Sequence, residues 1–160
     1  MTSMSQIPAD IFRANVLQLL DETFENVHGY ILDRGTSLFE TLATIDAATA
    51  SRVFSSRAST IAAQVNHTRF YLDVLLRNMR DGDTTPADWD SSWQVTKVTP
   101  EEWDALITGL RASYDEIKTI AANLDEWTDD SVGGAMAIIA HSAYHLGEIR
   151  LSLAALQIPE

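Results

Sequence analysis

Apolar residues recur at three- and four-residue spacing in four separate stretches of this chain, and no stretch alternates in twos as a half-buried strand would. That pattern restricts the chain to packed helices. The first stretch runs from Pro8 to Val27, with Phe12, Val16, Leu19, Leu20, Thr23 and Val27 on one stripe and Pro8 suited to the first helical turn. The second starts at Ser59 or Thr60, either of which can cap it, and Gly82 ends it. Its stripe is Ile61, Val65, Thr68, Leu72, Leu75, Leu76 and Met79. The third opens on Thr99, Pro100 and Glu102, a capping box with proline at the first helical position. Trp103, Leu106, Ile107, Leu110, Tyr114, Ile117, Ala121 and Leu124 form its buried face. After a connection at Asp129 to Gly134, the fourth covers Ala135 to Gln157 with Ile138, Ser142, His145, Leu146, Ile149, Leu153 and Leu156 aligned.

Isolated helices of this length are marginal in water, so the four stripes must face one another. The expectation is an all-α single domain over residues 1–160, a four-helix bundle with additional short helices in the connections. Leu38, Phe39, Leu42 and Ile45 mark one or two such short helices between the first and second long ones. The stretch DGDTTPADWDSSWQVTKV before the third is polar and longer than most bundle connections, a length that goes with function or flexibility.

Charge narrows the partners. With 11 Lys and Arg against 23 Asp and Glu, the formal net charge is −12, which disfavours both phosphate backbones and anionic membranes. The absence of cysteine excludes disulfides, thiolate metal sites and a cysteine nucleophile. Asp10, Arg13, Asn15 and Gln18 interrupt the N-terminal apolar residues, so neither a signal peptide nor a membrane span is read there and a cytoplasmic location is expected.

Histidine supplies the candidate chemistry. His141 and His145 lie four apart on one helix, offset by about 40° and one turn, so both imidazoles can converge on one ion. The residues between them are Ser-Ala-Tyr, without the glutamate of an HExxH protease. Taken alone, such a pair reads more simply as core imidazoles satisfied by hydrogen bonds. His67, in the middle of the second helix, makes a third candidate, and three imidazoles with water form a recognised open metal site. His67 lies off the centre of its stripe, near Gln64 and Tyr71, so it must face a cleft between helices. His28, at a helix end and off its stripe, reads as a surface residue.

In STIAAQVNHTRFYL, in AHSAYHLGEIRL, and in the order and spacing of the helices that carry them, the sequence resembles the DinB/YfiT-like superfamily of small four-helix metal-dependent proteins. LDRGTSLFETL and ADWDSSW are similar to a subgroup pattern. The resemblance implies that His67, His141 and His145 ligate a divalent metal, zinc or nickel in the first place and iron as a further choice. It also implies a homodimer and a small-molecule substrate, with a bacillithiol- or mycothiol-type thiol transferase as the leading activity. A metal-dependent hydrolase and a non-catalytic metal-binding or dimerising module are the alternatives. Glu148 stands where the family often has glutamine; it lies seven residues, about two turns, beyond His141 on the same flank, where an ordinary exposed glutamate is a simpler reading than a supporting or fourth-ligand role.

Trp89 and Trp93 could wall a substrate site at the bundle mouth, although anchoring their loop to the core is the simpler role. Trp103 and Tyr114 read as core. Asp81, Asp83, Asp88 and Asp90 lack the calcium-loop spacing and read as loop charge. Arg69, Arg77 and Arg80 read as a helix face.

Overall fold

The computed structural model describes residues 7–157. Among these there are only helices: α1 (Ala9–Phe24), α2 (Leu38–Leu42), α3 (Ala47–Ala50), α4 (Ile61–Asp81), α5 (Pro100–Asn123) and α6 (Asp129–Gln157), with a 3₁₀ turn at Ser91–Trp93. The four long helices, α1, α4, α5 and α6, share one core: α4 packs on α5 and α6, and α1 packs on the same two. None is long and apolar enough to cross a membrane.

Helix ends follow local chemistry. Thr60 accepts from the Ala63 N–H at 3.1 Å, and Gly82 closes α4 in the left-handed conformation (φ 64°) that glycine adopts without strain. In α5 the Thr99–Glu102 capping box forms as the sequence predicts, with Thr99 N–H donating to Glu102 at 2.8 Å and Glu102 N–H donating to Thr99 Oγ1 at 3.2 Å. The expected short helices between α1 and α4 are α2 and α3.

Two boundaries differ from the sequence reading. The last helix begins at Asp129, not Ala135, and takes in Gly133 and Gly134. Each internal glycine costs about 1 kcal/mol relative to alanine. Reciprocal bonds between Thr128 and Ser131 and the first-turn acids Asp129 and Asp130 offset that cost, since negative charge is favoured at a helix N-terminus. At the other end of the chain, α1 stops at Phe24 rather than Val27, and Pro8 sits at its N-cap, one residue before the first turn.

Glu22 explains the early stop. Its carboxylate is wholly buried and accepts the backbone N–H groups of Gly29, Tyr30, Ile31 and Leu32 at 2.8–3.2 Å, which pulls the chain back across the helix end. Burial pushes this carboxyl up, but the backbone donors together outweigh burial and hold it below its usual 4.5. Phe24, fully buried, stacks on Tyr114 with centroids 4.5 Å apart, and Trp103 donates from Nε1 to the Ile45 carbonyl at 2.8 Å, so both aromatics of α5 are core.

Glu22→Gln should lower stability at neutral pH by about 1–3 kcal/mol, because it replaces an acceptor with an N–H₂ that faces backbone donors. A group with a depressed folded pKa stabilises above its unfolded value, so the gap between wild type and variant should narrow as the pH falls below 4.5. Urea denaturation at several pH values reads both effects.

Candidate metal centre

Two elements bring the histidines together. Position 67 lies on α4, and positions 141 and 145 lie one turn apart on α6, which packs against α4. One ring nitrogen from each of His67, His141 and His145 lies within 4.8 Å of the others. Nitrogen ligands at about 2.0–2.1 Å from one tetrahedral ion would lie roughly 3.4 Å apart, so the three rings stand near the spacing that a shared ion requires. His67 and His145 are 7% and 3% exposed, and His141 is half-buried. His28 stays outside the cluster, bonded to Asp21 at 2.8 Å on the surface.

The hydrogen bonds favour one tautomer at two of the rings. Ser92 Oγ donates to the Trp89 carbonyl at 2.5 Å, so its lone pair receives Nδ1–H of His67 at 2.7 Å. Gln64 Nε2 donates to the Glu148 carboxylate at 2.5 Å, which turns Gln64 Oε1 toward His145, where it accepts Nδ1–H at 2.6 Å. Both imidazoles therefore keep the Nε2 lone pair for a ligand, the supporting arrangement that metal-bound histidines use. The third ring, His141, has a buried Nε2 with no hydrogen-bond partner, and it stacks on Tyr71 with centroids 3.8 Å apart. An unpartnered buried nitrogen is costly, and a metal ion is a group that would satisfy it. The donor set thus fits a divalent ion.

Burial also keeps the rings neutral. It lowers His67, and it takes His141 and His145 down to about 4, with repulsion from the neighbouring imidazoles adding to the shift and Glu148 opposing it at His145. At neutral pH no proton has to leave before a metal enters.

Glu148 is half-buried and accepts from both Gln64 and the Tyr144 hydroxyl, the latter at 2.6 Å. Its Oε2 lies 3.9 Å from His145 Nδ1, against the side of the ring turned away from Nε2. It therefore supports His145 and stands outside the ligand cluster. Trp93 stacks on His67 at 4.0 Å, while Trp89 packs edge-on to Phe70 at 5.6 Å and is 43% exposed. Asn66 ties the same loop down by donating to the Ser92 carbonyl at 2.8 Å. The long polar connection is thus a wall of the site, anchored to α4. Arg69, Arg77 and Arg80 pair with Asp73, Asp83 and Glu116 and take no part in the site.

Sequence reasoning missed Gln64, Ser92, Tyr71 and Tyr144. Gln64 and Tyr71 carried a usable signal, since they lie three and four residues from His67 and so share its face of the helix. Ser92 carried none, because its partner is 25 residues away. No family model, curated protein or solved structure matches this chain.

In metal-free protein, ring-signal titration by NMR should find His141 and His145 neutral down to about pH 4. Unfolded imidazoles take up protons near 6.5, so these two groups should cost stability progressively as the pH falls from 6.5 towards 4, with no further loss below. Denaturation midpoints measured across that window should follow, and a His141→Asn, His145→Asn variant should flatten the slope.

Proposed function

We propose that this protein is a metal-dependent enzyme of the DinB/YfiT-like kind, in which His67, His141 and His145 hold one divalent ion and a small thiol is the cosubstrate. The observation that carries the reading is the pairing of two imidazoles with fixed Nδ1–H donors and a third whose buried Nε2 has no partner. Three neutral ligands leave a divalent ion its full charge, which when bound lowers the pKa of a thiol or water at its open position.

The chain's own residues account for the rest. Ser92 and Gln64 orient two of the rings, and Tyr71 and Trp93 hold imidazole planes by stacking. Trp89 and Trp93 form an apolar wall that would exclude water from a bound substrate and favour the apolar part of an electrophilic partner. Thiol transfer is preferred to hydrolysis on the sequence resemblance. The same resemblance supports a homodimer. Zinc and nickel suit an all-nitrogen donor set, and iron(II) is also accommodated.

Metal analysis of untagged protein purified without chelator tests the centre. About one equivalent of divalent metal per chain is expected, and almost none in His141→Ala, His145→Ala protein that keeps its helical circular dichroism. Cobalt- or nickel-loaded protein titrated with low-molecular-weight thiols should develop a thiolate-to-metal absorption band. Absence of bound metal, with no tight zinc or nickel uptake on titration, would refute the reading and leave a helical module without a metal function.

A further inference from the structure

The two ends of a glutamine amide are alike in shape and opposite in hydrogen bonding, so Gln64 can meet His145 in either of two ways. With Oε1 toward the ring, His145 Nδ1 carries the proton and Nε2 keeps its lone pair. With the N–H₂ toward the ring, Nδ1 must accept, the proton moves to Nε2, and the nitrogen available for a ligand is blocked. Nothing in the contact between Gln64 and His145 alone chooses between them.

Glu148 makes the choice. We infer that Glu148 is a positioning residue, whose carboxylate holds the Gln64 amide in the orientation that keeps the proton of His145 on Nδ1. A carboxylate only accepts, and its Oε2 stands 2.5 Å from the Gln64 nitrogen. Turning the amide over would set Oε1 of Gln64 against that oxygen, two acceptors in contact. Tyr144, four residues earlier on α6, donates to the other oxygen at 2.6 Å and holds the carboxylate in place. Glu148 and His145 are three apart on α6 and share a face, while Gln64 reaches them from α4. The lock therefore closes only when those two helices pack.

The back of this relay borders a cleft of about 220 Å³ whose lining includes Arg57, Ser59, Gln64, Glu148 and Ser152. Water entering there can either donate or accept. Removing the carboxylate should therefore free the amide to populate both orientations, whereas replacing it by a group that only donates should invert the amide. The positioning is a property of the metal-free chain. Only its consequence for metal affinity rests on the function proposed above.

Long-range proton–nitrogen NMR correlation of the histidine rings, on metal-free protein near pH 7, reads the tautomers directly. In wild type His145 should be in the Nδ1–H form. Glu148→Gln should loosen the lock, because its own amide can present either an oxygen or an N–H₂ to Gln64, and both His145 forms should appear. Glu148→Ala should give a mixture, and Glu148→Lys should shift His145 to the Nε2–H form. His67, governed by Ser92, should remain Nδ1–H in every variant and so report an intact fold. Zinc affinity measured by chelator competition should drop in Glu148→Gln, by about tenfold in Glu148→Ala, and further in Glu148→Lys. Retention of the wild-type His145 tautomer in both Glu148→Ala and Glu148→Lys, with His67 unchanged, would overturn the inference. A tautomer that follows position 148 in a protein that takes up no zinc would uphold the positioning role and remove the metal function instead. Should Glu148→Lys disturb the His67 signal, Tyr144→Phe gives the second test. Loosening the carboxylate without adding charge should produce a partial tautomer mixture, and a His145 signal identical to wild type would count against the inference.

Discussion

A buried imidazole has two nitrogens and one proton, and a cluster of three such rings is usable only if each proton is kept off the shared space. Here that constraint is met for two of the rings by groups that can only accept. The Trp89 carbonyl fixes the Ser92 hydroxyl, which fixes His67; the Glu148 carboxylate fixes the Gln64 amide, which fixes His145. The intermediaries, a hydroxyl and an amide, could each serve either polarity. Direction is imposed from the far end. His141 has no such relay and is held by stacking on Tyr71, which constrains its ring plane and leaves its buried Nε2 unsatisfied.

This dependence explains why the connection between α4 and α5 is ordered against α4. Its Trp89 carbonyl, Ser92 hydroxyl and Trp93 ring all bear on His67, and Asn66 bonds the Ser92 carbonyl from the neighbouring helix position. A polar segment with few apolar residues gains little from burial alone, so its placement relies on these directed contacts. The contacts of the two tryptophans, Trp93 on His67 and Trp89 on Phe70, are those of loop anchors.

Elsewhere the chain satisfies buried polar groups by the same principle of acceptor against donor. Glu22 gathers four backbone N–H groups where α1 ends, and this sets the path into α2. Thr128 and Ser131 bond one another where α6 begins, allowing a helix to run through two glycines. Both features moved a helix boundary away from where hydrophobic periodicity alone would set it, because periodicity registers apolar faces and is blind to polar side chains that fold back on the backbone.

The sequence by itself determined the all-helical class, the four long helices and their buried stripes, the cap of α5, and the three histidines as one candidate set. Apart from the grouping of His67 with the other two histidines, which rests on the family resemblance, each of these follows from spacing along a helix, which is local and survives without knowing the partner. The register of α4 against α6 was decided only by tertiary structure. It brings Gln64 to His145 across 81 positions, and the packing of the α4–α5 connection on α4 brings Ser92 to His67 across 25. With it came the role of Glu148, which in sequence reads as an ordinary exposed acid and in the fold stands behind His145 with both oxygens engaged. Helix periodicity fixes which face a residue occupies. The proton positions that decide whether three imidazoles can bind an ion depend on atoms meeting within about 3 Å across helices, and packing alone supplies that.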